Sequence, residues 1–451
     1  MKKPEFLTGA SLRMKSIRST FLTSMGMFGQ NALRLAGNLV LTRILFPEAF
    51  GIMALVQVCI TGIGLFSDMG TRGAIIQNER GDDPAFLDTA WIFQILRGFV
   101  LWGVICLFAE PVAQFYEQPI LADLLPLAGF SLVITGFRST KMVTANRHLT
   151  LGRVTAFELI GQGLGIAVMI VLALILESVW ALAWGMLVAP VFITALSHLA
   201  LPGHTNRFRF ERAAAATLFS FGKFIFIATS STFLMTQADR AILGKFIPLD
   251  QLAFYNIAYG LASLPFVLKN RVARTIFLPL YVKRPPGASA VNRANFGRAR
   301  FLVVGTLLSG AFFLALIGPA FVDLAYDARY VAAGPLITLI ALALIPNILL
   351  GNYEVVMLAA GHSGRYALML LSLASVRTGL LFLTIPTFGV TGAIYAMFLS
   401  SLLTYPLLVW FVRPYGSWMP KQDALFFTIA ILGLIGVLWV TPQARTMLGL
   451  F

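Results

Sequence analysis

Long runs of apolar residues, each interrupted by only a few polar positions, follow one another along almost the whole chain. Most runs hold about 20 residues, the length that an α-helix needs to cross the hydrocarbon core of a bilayer. A backbone in lipid must satisfy its own hydrogen bonds, so only helices or a closed barrel can span. Barrel strands would alternate over about 10 residues, whereas these runs are continuous. The pattern therefore predicts an all-α polytopic membrane protein.

The predicted spans fall into two sets of six, with one further apolar run at the end. The predicted spans are 19–45, 51–77, 86–109, 121–145, 153–176, 179–200, 215–240, 253–281, 296–320, 332–360, 365–386 and 389–412, and the further run is 423–440. The polar stretch 201–214 separates the sets. We expect a cytoplasmic segment 1–18, an N-terminal bundle 19–200, a cytoplasmic linker 201–214, a C-terminal bundle 215–412 and an extra helix 423–440. Whether the extra helix spans stays open.

An internal repeat supports this division. The stretch 41–51 aligns with 243–253, and the same register places Arg72 over Arg274. An even number of spans in each half keeps both halves in the same orientation, as in parallel-repeat transporters. The sequence thus predicts two pseudo-symmetric six-helix bundles around a central cavity.

The charges of the loops differ between the two sides of the membrane. Lys and Arg gather after the fourth, sixth and eighth predicted spans, whereas the opposite loops are mostly acidic or neutral. Cytoplasmic loops carry this excess, so the N-terminus is expected in the cytoplasm. The net charge of +15 lies largely in these short loops rather than in a tail or a groove-reading helix, which argues against a nucleic-acid partner.

Several charged residues lie inside predicted spans: Arg34, Asp68, Arg72 and Arg377. A charged side chain at the centre of a spanning helix costs about 2.5–3.5 kcal/mol on insertion scales. Such residues must face one another or a wet interior. Their presence indicates a polar cavity, and therefore transport.

The first span carries the densest polar pattern. Gln30, Asn31, Arg34 and Asn38 recur at intervals that place them on one helical face. Such a stripe can serve helix packing through interhelical hydrogen bonds. The full charge of Arg34 favours a cavity-lining, substrate-binding role instead, because packing seldom needs a charge.

A second set of charges lies towards the predicted cytoplasmic ends of the spans. Asp68 and Arg72 are placed to pair on one helical face, and Arg72 has Arg274 as its repeat-mate. Arginines there would suit a phosphate-bearing ligand, because the guanidinium fork matches phosphate oxygens. The neighbouring Lys269 and Arg271 are interpreted as loop charges that orient the protein.

Arg377 and Glu354 are candidates for a pair across two helices, either a structural bridge or, with Asp68, part of an ion or proton path. Asp239 and Arg240 are interpreted as a pair at the outer rim. Glu158 and Gln162 in the fifth span remain ambiguous.

No motif indicates bound cofactors or catalysis. The chain lacks a phosphate-binding Gly-Lys-Ser or Gly-Lys-Thr loop, and its four histidines and two cysteines show no metal-ligand spacing. We expect no cofactor, no metal and no enzymatic activity.

Two groups of motifs resemble the polysaccharide transporter family, the Wzx-like oligosaccharide flippases, over residues 15 to 412. The first group is Arg43-Ile-Leu-Phe-Pro-Glu-Ala-Phe-Gly51, Phe66-Ser-Asp-Met-Gly70 and Ala74-Ile-Ile-Gln77. The second group is Asp239-Arg-Ala-Ile-Leu-Gly244, Phe254-Tyr-Asn-Ile-Ala-Tyr259 and Leu264-Pro265.

The resemblance implies the multidrug/oligosaccharidyl-lipid/polysaccharide (MOP) exporter fold in a bacterial inner membrane. It also implies a polyprenyl-pyrophosphate-linked oligosaccharide as substrate, with membrane lipids and polysaccharide polymerase or export machinery as partners. Arg34 best matches the cationic residue that holds the pyrophosphate, with Arg72 and Arg274 behind it. A cation-coupled multidrug exporter of the same fold and, more remotely, a membrane glycan polymerase or ligase are the alternatives.

Overall fold

The computed structural model describes residues 12–67, 70–222 and 225–449, with side chains described from residue 22 onward except at 220–228. Within those ranges every regular element is a helix, so the predicted all-α class is confirmed. Asp68 lies outside the described residues. Two units of similar size divide the chain between Ser230 and Ser231, and each has its own core.

Nine helices lie wholly within the described part of the first unit. They are α1 Leu12–Ile44, α2 Pro47–Phe66, α3 Thr71–Gln77, α4 Pro84–Tyr116, α5 Leu121–Gly136, α6 Lys141–Arg147, α7 Gly152–Leu176, α8 Val179–Leu199 and α9 Arg212–Gly222. Local chemistry fixes several ends. Pro47 opens α2, and the Asp83 carboxylate caps α4 by accepting from the Ala85 amide at 3.0 Å.

The second unit begins within α10. Its helices are α10 Ile225–Phe246, α11 Leu249–Ala262, α12 Leu264–Val272, α13 Leu278–Lys283, α14 Ala290–Ala325, α15 Ala333–Ala343, α16 Ile345–Leu350, α17 Val355–Ala359, α18 Ser363–Phe388, α19 Val390–Leu403, α20 Tyr405–Val412, α21 Pro420–Val440 and α22 Pro442–Met447. A π-helical turn, Ala273–Phe277, joins α12 to α13.

Nine helical segments among the described residues are long and apolar enough to cross a membrane, or eleven if each of two bent pairs forms one span. The chain is therefore a multi-pass membrane protein. The extra C-terminal run forms α21, which is one of the nine. In the second unit the most apolar window of 328–359 is completely buried, so this segment is the centre of that unit.

Several predicted spans are broken rather than continuous. The span predicted at 51–77 ends as α2 at Phe66 and resumes as α3 at Thr71, after Gly70 in the left-handed region. The spans predicted at 121–145 and 253–281 bend by 62° and 43°. Pro265 and Pro346 open new helical segments, since proline cannot donate to the preceding turn.

Glycine brings helices of the first unit into backbone contact. A Cβ on Gly98 of α4 would lie 2.8 Å from the Leu132 carbonyl oxygen, and one on Gly136 of α5 would lie 2.7 Å from the Gln94 carbonyl oxygen. Such contacts compensate for the weak hydrophobic drive between helices in lipid. They hold α4 and α5 together along the wall of the cavity described below.

The stretch 201–211 is hydrogen-bonded to the first unit rather than extended as a free connector. Asp88 Oδ1 accepts from the Arg207 amide at 2.9 Å and lies 2.7 Å from His204 Nε2. Arg80 contacts both Asp83 and Glu211. Hydrogen bonding to Arg80 holds the pKa of both carboxyl groups below its usual range, so they stay ionised at neutral pH.

Candidate functional site

The polar face of α1 lies beside its contact with α7. A Cβ on Gly37 would lie 2.7 Å from the Ile166 side chain, which shows how closely the helices approach. Next to this contact, Gln30 Nε2 donates to Glu158 Oε2 at 3.2 Å. Gln162 Nε2 donates to the Gln30 carbonyl oxygen at 2.8 Å. These bonds give Gln30, Glu158 and Gln162 a role in joining the two helices.

Arg34 is exposed on the same helix. Its Nη2 donates to Asn31 Oδ1 at 3.1 Å, and Asn31 Nδ2 donates in turn to the Met27 carbonyl oxygen at 3.0 Å. No carboxylate of the described residues forms an ion pair with Arg34. Asn38 follows one turn further along, half-buried. Arg34 therefore offers most of its guanidinium fork to a ligand.

Arg34 lies in the C-terminal half of α1, which is long enough to cross a membrane but is not among the nine helical segments of the described residues that are also apolar enough. Ten residues separate it from Ile44 at the end of the helix, which corresponds to about 15 Å. That distance is about half the thickness of the hydrocarbon core. In a helix that crosses a membrane, an exposed charge at such a depth is stable only beside water or an anionic group.

A cavity of about 290 Å³ inside the first unit gathers three arginines: Arg72, Arg97 and Arg138. Arg97 Nη2 donates to the Gly64 carbonyl oxygen at 2.6 Å and to Ser67 Oγ at 3.0 Å, so it caps the end of α2. Arg138 Nε is buried without a hydrogen-bond partner among the described residues. The predicted Arg72 thus has two basic neighbours.

Glu158 connects this cavity to the polar face of α1. It lines the cavity, and its carboxylate accepts from Gln30 and interacts with the charge of Arg138. Gln30 therefore contacts a carboxylate that lines the same cavity as Arg72, and both are predicted site residues. Sequence reasoning missed Arg97, although an arginine within the predicted span 86–109 was a signal of the same kind as Arg34.

The second unit places Arg274 on the π-helical turn, where it is exposed and contacts Tyr366. Lys269, one turn earlier, is only 2% exposed, and its Nζ donates to Asn347 Oδ1 at 2.8 Å. The interpretation of Lys269 as an orienting loop charge was therefore wrong. π-Turns often occur at functional sites, and this one positions the arginine that repeats Arg72.

Arg377 does not pair with Glu354, so that predicted pair was wrong. Arg377 Nη2 lies 3.5 Å from Asp239 Oδ2, to which Tyr255 Oη also donates at 2.6 Å. Glu354 lies at the break before α17, where its charge interacts with that of Lys269. The broken helix brings Glu354 near Lys269 of α12 rather than into a pair with Arg377 of α18.

Asp239 and Arg240 do form the predicted ion pair, with Arg240 Nη1 3.4 Å from Asp239 Oδ1, but their interpretation as a pair at an outer rim was wrong because both are buried. Asp239 is 1% exposed and Arg240 is 9% exposed. Arg240 Nε donates to Asn256 Oδ1 at 2.8 Å, and its guanidinium lies 4.3 Å from the ring centre of Tyr259. Two of the family-like motifs therefore pack directly on each other.

A second buried charge pair joins the C-terminal helices to the rest of the second unit. Arg300 is completely buried, and its Nη2 donates to Asp423 Oδ1 at 2.5 Å. Tyr353 and Tyr405 donate to the same carboxylate at 2.8 and 2.9 Å. This network fixes the start of α21 and is a packing feature, not a ligand site.

No group of three potential metal ligands occurs among the residues with described positions. The polar sites are instead basic, as suits an anionic ligand.

Comparisons with known proteins agree with this architecture. TuaB of Bacillus subtilis, a teichuronic acid biosynthesis protein, is 22% identical over 354 residues, which are 75% of this chain and 72% of TuaB. ExoT of Rhizobium meliloti, a succinoglycan biosynthesis transport protein, is 23% identical over 340 residues, 73% of this chain and 65% of ExoT. The chain thus spans about two thirds of the length of these relatives.

Two solved structures share the fold. The lipid II flippase MurJ in an inward closed conformation has a TM-score of 0.68 at 14% identity, covering 92% of this chain and 91% of MurJ. An inward-facing multidrug resistance MATE family transporter of the MOP superfamily has a TM-score of 0.61 at 14% identity, covering 88% of this chain and 98% of the transporter.

The helices, their buried charges and these likenesses define a polytopic membrane protein with the fold of the MOP superfamily. The chain belongs to the polysaccharide biosynthesis protein family, whose profile matches residues 40–335. The resemblance drawn from the sequence motifs is confirmed.

Proposed function

We propose that this protein is a flippase that moves a polyprenyl-pyrophosphate-linked oligosaccharide from the cytoplasmic to the periplasmic leaflet of a bacterial inner membrane. The observation that carries the proposal is the exposed Arg34, which has no carboxylate partner among the described residues and lies on the 33-residue α1, taken here to cross the membrane. A charge in that place is favourable only if water or an anion reaches it. The family and the transport protein among its relatives support this function.

Each part of the substrate is assigned to the residues whose chemistry suits it. The Arg34 fork binds the pyrophosphate, and Asn31 holds the guanidinium in position. Asn38 and the amide groups of Gln30 and Asn31 suit sugar hydroxyls, while Arg72 and Arg274 offer further positive charge. The prenyl tail stays in lipid, and alternating access exposes the head group on the other side.

The same proposal places the N-terminus in the cytoplasm and the protein beside polysaccharide polymerase or export machinery. Asp239, Glu354 and Arg377 are candidates for ion or proton coupling.

A drug exporter is the alternative function, because a multidrug transporter has the same fold. Cationic drugs favour acidic or aromatic cavities, whereas the cavity of the first unit is lined by three arginines and one glutamate.

A reconstitution experiment tests the proposal. The purified chain is placed in liposomes that contain a fluorescent polyprenyl-pyrophosphate-linked oligosaccharide, and the fraction accessible to an external glycosidase is followed. We expect the protected lipid to become accessible within minutes, against no change in protein-free liposomes. Transport of a cationic dye with no movement of the lipid-linked sugar would contradict the proposal and favour the drug exporter.

A further inference from the structure

A groove of about 810 Å³ lies at one end of the second unit, between the first turns of α14 and the start of α21. Its floor includes Phe301 and Leu302 of α14 and Met419 before α21. Phe301 and Leu302 are 46% and 69% exposed. Large apolar side chains at the surface of a membrane protein are stable where acyl chains cover them. The depth of this groove in the bilayer therefore decides whether acyl chains can cover its floor.

The length of α21 indicates the depth of the groove in the bilayer. Its 21 residues extend about 31 Å, roughly the thickness of the hydrocarbon core, so its first turn lies near the membrane boundary. The 36 residues of α14 extend about 54 Å, and its first turns therefore pass beyond that boundary. The groove lies where hydrocarbon gives way to head groups, at the end that the loop charges assign to the cytoplasm.

Three exposed cations stand around the groove: Arg293, Arg298 and Lys421. Arg293 Nη2 donates to the Trp418 carbonyl oxygen at 3.0 Å, which holds its guanidinium in place. Arg298 and Lys421 have no hydrogen bond or ion pair with any residue in the described part of the chain. Their charges are therefore available to an occupant.

The polar groups behind the groove are already satisfied. Asp423 is buried against Arg300, so it does not neutralise the rim. Gln422 accepts from Arg300 Nη1 at 3.2 Å and donates to the Gly297 carbonyl oxygen at 3.0 Å. An occupant must therefore present an apolar part to the floor and an anionic group to the three cations.

We propose that this groove binds an anionic phospholipid of the cytoplasmic leaflet. Its phosphate lies between Arg298 and Lys421, and an acyl chain runs along Phe301 and Leu302. Basic pockets between transmembrane helices on the cytoplasmic side bind acidic lipid head groups in this way. Free inorganic phosphate would contact the cations but would leave the apolar floor of the groove exposed to water, so it is a poorer occupant than a phospholipid. The site does not depend on the flippase function, because none of its residues belongs to the proposed substrate path.

The experiment uses the full chain in detergent, with phosphatidylglycerol or phosphatidylcholine added, and native mass spectrometry to count the retained lipids. The wild type is expected to retain phosphatidylglycerol in preference to phosphatidylcholine. The double variant R298Q/K421Q should weaken phosphatidylglycerol binding about thirtyfold, given the contribution of each basic residue near an anionic head group. Both side chains are exposed, so the fold should survive, which the melting temperature checks.

The matched control is K283Q/R284Q, which removes two exposed cations from the same end but outside the groove. Its lipid binding should equal that of the wild type. Equal losses in both double variants would show attraction to surface charge alone and overturn the site. Tighter binding of undecaprenyl phosphate than of phosphatidylglycerol, lost in R298Q/K421Q, would assign the groove to the carrier lipid and overturn the choice of a phospholipid.

Discussion

Arg34→Ala is expected to lower the rate of lipid-linked oligosaccharide translocation at least about a hundredfold while leaving the protein inserted in the membrane. Hydrogen bonds to charged groups contribute about 1.5–3 kcal/mol each, and a guanidinium can make two to a phosphate. Losing both would cost about 3 kcal/mol or more, and each 1.4 kcal/mol is a factor of ten. The measurement is the initial rate in liposomes at matched protein density.

Two further variants show whether the guanidinium itself matters. Arg34→Lys keeps the charge but loses the fork, so an intermediate rate is expected. Arg284→Ala removes an exposed arginine from a loop of the second unit and should leave the rate unchanged. A wild-type rate in Arg34→Ala would remove the central residue from the proposed mechanism.

Asp423→Ala is expected to destabilise the second unit by about 3–5 kcal/mol, because it leaves the completely buried Arg300 without its counter-charge. The Tyr353 and Tyr405 hydroxyls would lose their acceptor as well. Unfolding of the detergent-solubilised protein by heat or denaturant measures the loss. Glu79→Ala, which removes an exposed carboxylate, should show no comparable effect.

The double variant Arg300→Met/Asp423→Leu separates charge pairing from packing. The double variant leaves no unpaired charge in the buried site, so it should be more stable than Asp423→Ala. Equal unfolding midpoints for Asp423→Ala and the wild type would mean that this network does not hold α21.

The sequence predicts the helices well and their interruptions poorly. Apolar runs determine where a span exists, but the breaks at Gly70 and Pro346 depend on neighbours that satisfy the freed backbone groups. Proline and glycine are common in transmembrane helices, so their presence alone does not locate a break.

Partners of buried charges could not be predicted for a related reason. Arg377 and Asp239 are 138 positions apart, and Arg300 and Asp423 are 123 apart. Hydropathy gives the length of a span but not its rotation about its own axis. The common face of Gln30, Asn31 and Arg34 was predictable because it depends only on the spacing of residues within one helix.

The most direct measurement is the water accessibility of position 34. Arg34→Cys is made in a chain whose two cysteines, Cys59 and Cys106, are replaced by alanine, and is treated in membranes with a charged, membrane-impermeant thiol reagent. Val171→Cys, on the apolar and exposed surface of α7, serves as the lipid-facing control. The account predicts that position 34 reacts and position 171 does not. Reaction of position 34 only with a lipid-soluble maleimide would contradict it.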